Sequence, residues 1–136
     1  MLSGSIVAFG QTEVTYTFSD HYSNAVEIGS GSIEGNLDFL AEKNSSSTNP
    51  TYYTSGSAAR FYYNSGGNGG SYTITAKNGV TITAIELYAV SSYTPAVKYN
   101  IDGGGDLNAS LSGTTYSITG ISAASSLKFR NANTTN

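Results

Sequence analysis

The stretch PTYYTSGSAARFYYNSGGNGGSYTITAKNGVTITAIEL, residues 50–87, decides the fold class. Within it Ala59, Phe61 and Tyr63 alternate with Arg60 and Tyr62, the period of a strand with one buried face. Tyr72, Ile74 and Ala76 repeat that period. Residues 65–70 lie between the two runs and are rich in glycine, which adopts positive φ cheaply, so they suit a hairpin. Asn78-Gly79 is a stronger hairpin signal, because both residues tolerate the left-handed conformations of a type I′ turn. Beyond it, Val80 and Ile82 share one parity while Ile85, Leu87 and Ala89 share the other. That switch near Ala84 predicts a β-bulge, or a corner where the chain passes between sheets.

Outward from this stretch the same period recurs. Val14, Tyr16 and Phe18 share a face in residues 13–18, and residues 20–32 carry loop chemistry in Asn24, Gly29 and Gly31. Residues 33–41 place Ile33, Gly35, Leu37, Phe39 and Ala41 inward, with Gly35 weakening the strand or marking a bulge. Residues 43–57 form a long polar loop, and such loops more often carry function than structure. After Pro95 a new element spans residues 97–101, placed at an edge. Residues 102–106 then turn, and short strands follow over residues 107–111, 115–119 and 125–130. No segment sustains the helical period. Eight or nine short strands at turn spacing predict an all-β chain, an antiparallel β-sandwich or jelly roll, as one domain over residues 12–136.

A chain of 136 residues builds one core with little left for a second. Only 11% of residues are charged, under half of the roughly 25% usual in globular domains. Tyrosine occurs 11 times and tryptophan never. Such a hydroxyl- and amide-rich surface suits a secreted or cell-surface protein. The net charge of −3 and six scattered basic residues argue against nucleic acid, which demands clustered Lys and Arg. With no cysteine there is no thiolate metal site and no cysteine nucleophile. Residues 1–11, MLSGSIVAFGQ, read as the tail of a secretory signal peptide cleaved near Gly10/Gln11, or as an ordinary first strand. They are too short to span a membrane.

Tyr52, Tyr53, Arg60 and Tyr62, with Asn49 nearby in the loop, are the candidate ligand-binding residues. Tyrosine lays an apolar face on a sugar ring while its hydroxyl bonds outward, and arginine adds planar donors. Phe61 and Tyr63, by parity with Ala59, are expected to point inward, and one member of each tyrosine pair can equally be core. Asp102 and Asp106 around three glycines form a weak calcium candidate, off the spacing of an EF-hand loop and more simply a turn. His21 beside Asp20 lacks the strand–turn–helix serine motif of a hydrolase, so no catalytic residue and no cofactor is assigned. The glycine run at residues 66–70 lacks the Lys-Ser/Thr and helix of a phosphate loop.

These residues together resemble a family of β-sandwich modules of secreted bacterial proteins, found appended to hydrolases, nucleases and large surface proteins. The likeness runs through Phe18, then Lys43 with Asn49, Pro50, Tyr52 and Tyr53, then Arg60 and Tyr62. It continues through Tyr72, Thr73 and Ile74 to Gly79, Ile82 and Ile85. It departs at the end, where that family places a further strand after the equivalent of Arg130 and this sequence reads NANTTN. The resemblance implies a non-catalytic accessory module that attaches to a glycan or another cell-surface ligand. The departure implies an unpaired sheet edge, hence an alternative role as a structural or filament subunit that self-associates through that edge.

Overall fold

The computed structural model describes the backbone of Leu2–Ile6 and, in full, residues 12–136. Among the described residues the strands form two antiparallel sheets. The first holds β1 (Leu2–Ile6), β2 (Val14–Tyr16), β3 (Val26–Glu27), β6 (Thr51–Tyr53), β7 (Ala58–Arg60), β9 (Ile85–Ala89), β12 (Ser110–Ser112) and β13 (Thr115–Ile118). The second holds β4 (Ser30–Glu34), β5 (Leu37–Glu42), β8 (Ser71–Ala76), β10 (Val97–Ile101), β11 (Leu107–Asn108) and β14 (Ser126–Asn131). A 3₁₀ turn, Phe18–Asp20, is the one helical element among the described residues.

Period-two alternation builds the second sheet. In β5, Leu37, Phe39 and Ala41 are buried; in β8, Tyr72 and Ile74; in β14, Leu127, Phe129 and Asn131. Register brings these residues side by side, with Phe39 opposite Ile74 and Phe129 opposite Tyr72. Tyr72 is the centre of the core. Its ring stacks on Phe39 at 5.0 Å and Phe129 at 5.4 Å, and meets Phe18 and Phe61 edge-on at 5.9 and 6.0 Å. Phe61 follows β7 of the first sheet, so this cluster joins the two layers. Each such ring contributes about 1.5–3 kcal/mol by leaving water, and paired rings add about 0.5–1.5 kcal/mol. From the first sheet, Ile85 and Leu87 of β9 and Tyr116 and Ile118 of β13 complete the filling. The all-β sandwich reading of the sequence stands.

Several features differ in detail. The strands number fourteen among the described residues, not eight or nine, because pairings as short as Val26–Glu27 and Leu107–Asn108 carry no periodic signal. Residues 33–41 are two strands, β4 and β5, which turn at Gly35 and Asn36 with a register shift between Ser32 and Glu34. Residues 65–70 are not a hairpin, since β7 and β8 lie in different sheets. Asn78 and Gly79 form the expected turn, with φ of 55° and 76° and the Val80 N–H bonded to the Lys77 carbonyl, but not the expected hairpin, since β8 and β9 lie in different sheets. The chain then leaves the second sheet: Ile82 bridges to Ala123 and β9 joins the first, which is the corner expected near Ala84.

Each flank of the sandwich is closed by one segment that steps between layers. Residues 26–34 supply β3 to the rim of the first sheet and β4 to the rim of the second, and residues 107–112 do the same opposite with β11 and β12. The last strand, β14, is interior to its sheet, paired with β10 on one side and β8 on the other, and the open edges lie at β3, β4, β11 and β12. In the first sheet, β1 is the link between the β7–β6–β3 half and the β9–β13–β12 half. Leu2–Ile6 thus occupies a strand position, while the expected cleavage point at Gly10/Gln11 lies outside the described residues. No described helix is long and apolar enough to cross a membrane.

Candidate functional site

Strand β7 places Ala59 inward, which turns Arg60 to the outer face. The guanidinium of Arg60 lies over the Tyr53 ring at 4.2 Å, and Tyr53 belongs to the paired strand β6. Cation–π stacking of this kind holds the planar fork flat and leaves its edge to make contacts. The Tyr62 hydroxyl donates to the Tyr53 hydroxyl at 3.3 Å, beside the guanidinium. Burial raises the Tyr62 pKa, and the bond to Tyr53 adds to this while Arg60 opposes it. The phenol stays protonated at neutral pH and serves as a donor or acceptor.

Pairing stops at Arg60, so the backbone beyond it is held by other means. Gly70 N–H donates to the Tyr62 carbonyl at 2.8 Å, and Gly69 N–H to the Asn131 carbonyl at 3.1 Å. The buried Asn131 amide donates to the Phe61 carbonyl at 2.7 Å and toward the Tyr93 hydroxyl at 3.4 Å. Only glycine fits here: a Cβ on Gly69 would stand 2.5 Å from the Tyr62 carbonyl oxygen and 2.7 Å from that of Asn131. Asn44, left-handed at φ 49°, donates its amide to the Gly69 carbonyl at 2.8 Å and ties the polar loop to the same glycines.

The result is a cavity of about 410 Å³. Arg60, Phe61, Tyr62 and Tyr63 form one wall, and Ser92 and Tyr93 the other, with Asn136 also at the lining. The second wall is fixed by the Tyr93 N–H bonded to the Val90 carbonyl at 2.8 Å and by the buried Tyr116 hydroxyl bonded to the Pro95 carbonyl. Burial, with Tyr93 nearby, pushes the Tyr116 pKa up to about 12. The volume falls within the usual range for small-ligand sites of about 300–1,000 Å³. Three tyrosines and one arginine offer flat apolar faces with hydroxyl and guanidinium donors. The chain matches no family model, no curated protein and no solved structure.

Of the residues expected to bind, Arg60 and Tyr62 line the cavity, and Tyr53 stands behind them, against the guanidinium and the Tyr62 hydroxyl but outside the lining. Tyr52 does not join them: it is 2% exposed and faces the core near Tyr22, 6.3 Å between ring centres. Asn49 donates to the Glu27 carboxylate at 3.0 Å and is not part of the cavity lining. Tyr63, expected inside by parity, is 37% exposed, because the strand has ended before it. Ser92 and Tyr93 carry no motif, and only an aromatic residue just before Pro95 hints at them. The calcium candidates have other partners. Asp102 accepts N–H bonds from Ser125 at 2.8 Å, Ser126 at 2.9 Å and Ala124 at 3.2 Å, which hold its carboxyl below the usual range, Ser126 foremost. Asp106 pairs with Arg130 at 2.9 Å. No group of three or more metal-ligating side chains stands together among the described residues. His21 stacks on Tyr16 at 4.3 Å.

Proposed function

We propose that this chain is a non-catalytic binding module of a secreted or cell-surface protein, and that its ligand is a carbohydrate seated in the Arg60–Tyr62–Tyr63–Tyr93 cavity. The observation that carries the reading is the cavity itself: tyrosine rings on two walls, brought from segments about thirty residues apart, around one planar cation. Sugar rings bind by laying C–H faces on aromatic rings while hydroxyls bond to polar edges, and this lining supplies both. The likeness to accessory modules of secreted bacterial proteins points the same way. Self-association through a sheet edge has less to rest on, since three of the four rim strands, β3, β11 and β12, are only two or three residues long.

The test is a polysaccharide panel in affinity gels, followed by calorimetry on any hit, comparing wild type with Tyr62→Ala/Tyr63→Ala. Two lost ring contacts remove about 1–3 kcal/mol, so affinity falls by about fivefold to 150-fold with the fold intact. Wild type binding nothing on the panel, or the double variant binding equally well, would sink the reading.

A further inference from the structure

We propose that the sugar recognised by this cavity is anionic, carrying a carboxylate or a sulfate that Arg60 receives; this rests on the glycan reading above. The motivation is where the charges of this molecule go. Among the described residues the ion pairs are Lys77–Asp38, Lys128–Glu42 and Arg130–Asp106. Four further carboxylates hold neutral donors: Glu27 takes the Asn49 amide, Glu34 the Asn36 N–H, Glu86 the Tyr88 hydroxyl, and Asp102 the three N–H groups described above.

Arg60 has no carboxylate partner among the described residues. No Asp or Glu side chain lines the cavity, whereas the chain as a whole is acidic at −3. A guanidinium with no Asp or Glu side chain beside it, in a partly enclosed site, is therefore a local positive spot on a negative molecule. Contact with the Tyr53 ring restrains the guanidinium, whose planar fork carries parallel N–H donors that match two oxygens of one anion. A structural role for Arg60 would show a counter-ion or a carbonyl under that fork. Instead its neighbours are the ring of Tyr53 and the hydroxyl of Tyr62, both neutral, and the Tyr62 hydroxyl takes only part of the fork's donor capacity. Lys43 and Lys98 are likewise outside the ion pairs among the described residues, but Arg60 is the basic residue in the cavity lining, and the overall negative charge works against unspecific capture of polyanions.

Matched probes isolate the charge. Polygalacturonate is compared with its methyl ester, and dextran sulfate with dextran, for wild type, Arg60→Gln and Arg60→Lys, each checked for a native thermal melt. The expected result is at least about tenfold tighter binding of one acidic probe than of its neutral match, reduced by salt. Arg60→Gln brings the acidic-to-neutral affinity ratio to about one, whatever it does to the shared affinity, and Arg60→Lys keeps part of the ratio, because it retains charge but loses the fork. The uronate and sulfate arms tell which anion fits. Equal binding of charged and neutral probes, or a preference that survives in Arg60→Gln, overturns the proposal and leaves the glycan site standing. Failure of every glycan on the wider panel overturns both.

Discussion

Replacing Asn131 by alanine tests how the cavity wall is held. Its amide is 2% exposed and makes three contacts: Nδ2 to the Phe61 carbonyl at 2.7 Å, Nδ2 to the Tyr93 hydroxyl at 3.4 Å, and Oδ1 from the Asn133 N–H at 2.9 Å. The first is the costly one to lose. The amide is the side-chain partner of the Phe61 carbonyl, and a buried carbonyl left bare costs about 1–3 kcal/mol. The Asn133 N–H sits nearer the surface, so its bond is worth about 0.5–1.5 kcal/mol, and the long contact to Tyr93 adds little. Together Asn131→Ala should cost about 2–4 kcal/mol. Urea unfolding followed by circular dichroism measures this; with a slope near 2 kcal/mol/M the midpoint falls by about 1–2 M. Asn131→Asp separates donor from shape: it keeps an acceptor for Asn133 but sets an oxygen against the Phe61 carbonyl, so it should be at least as damaging. A midpoint within about 0.3 M of wild type for both variants would refute the reasoning, because it would mean that this buried amide holds nothing that water cannot replace.

Three other outcomes are expected. Gly69→Ala should destabilise by about 1–3 kcal/mol or more and weaken glycan binding, since both obstructing oxygens are backbone; an unchanged melting temperature would contradict the geometry. Tyr72→Phe should be neutral or stabilise by about 1 kcal/mol, because the buried hydroxyl has no hydrogen-bond partner among the described residues; a loss above about 1 kcal/mol by urea titration would reveal a partner. Stability should fall at alkaline pH. With Tyr116 raised to about 12, the unfolded chain releases this proton near pH 10 while the folded chain keeps it, so the contribution present below pH 10 is lost between about 10 and 12. Tyr16 and Tyr72, raised by burial, act in the same direction, and Tyr116→Phe should blunt the decline in melts run from pH 9 to 11.

The sequence made the sandwich legible where strands were long enough to alternate. Leu37–Glu42, Ser71–Ala76 and Ser126–Asn131 each show three or more turns of the period, and their inward residues are the core. Turn chemistry was read correctly at Asn78-Gly79 and misread in its consequence, because a turn fixes local φ and ψ but not which sheet receives the next strand. The same gap explains the site. Arg60 and Tyr62 follow from the parity of Ala59, whereas Tyr52 lies in a three-residue strand inside a polar stretch, too short to show which of two adjacent tyrosines faces in. Ser92 and Tyr93 reach the cavity through the crossing of the chain between sheets, a long-range event with no local signature. Asn131 looked like a tail residue and is the buried support of the wall.

The place of β1 sets the folding clock. Leu2 pairs with Ala89 and with Ala59, and Gly4 pairs with Leu87 and with Tyr16, so the first sheet becomes continuous only when strands far apart along the chain close around one short strand. Contacts of such separation pay their loop entropy before they return any pairing, which puts two-state folding of β-rich chains on the scale of roughly milliseconds to seconds. On a ribosome, residues 2–6 emerge early and wait for residues 85–89. The second sheet is under a similar constraint, since β14 fills the gap between β8 and β10. Both layers therefore mature late, and the cavity, whose walls hang from Asn131 of β14, is assembled only when the chain is nearly all available.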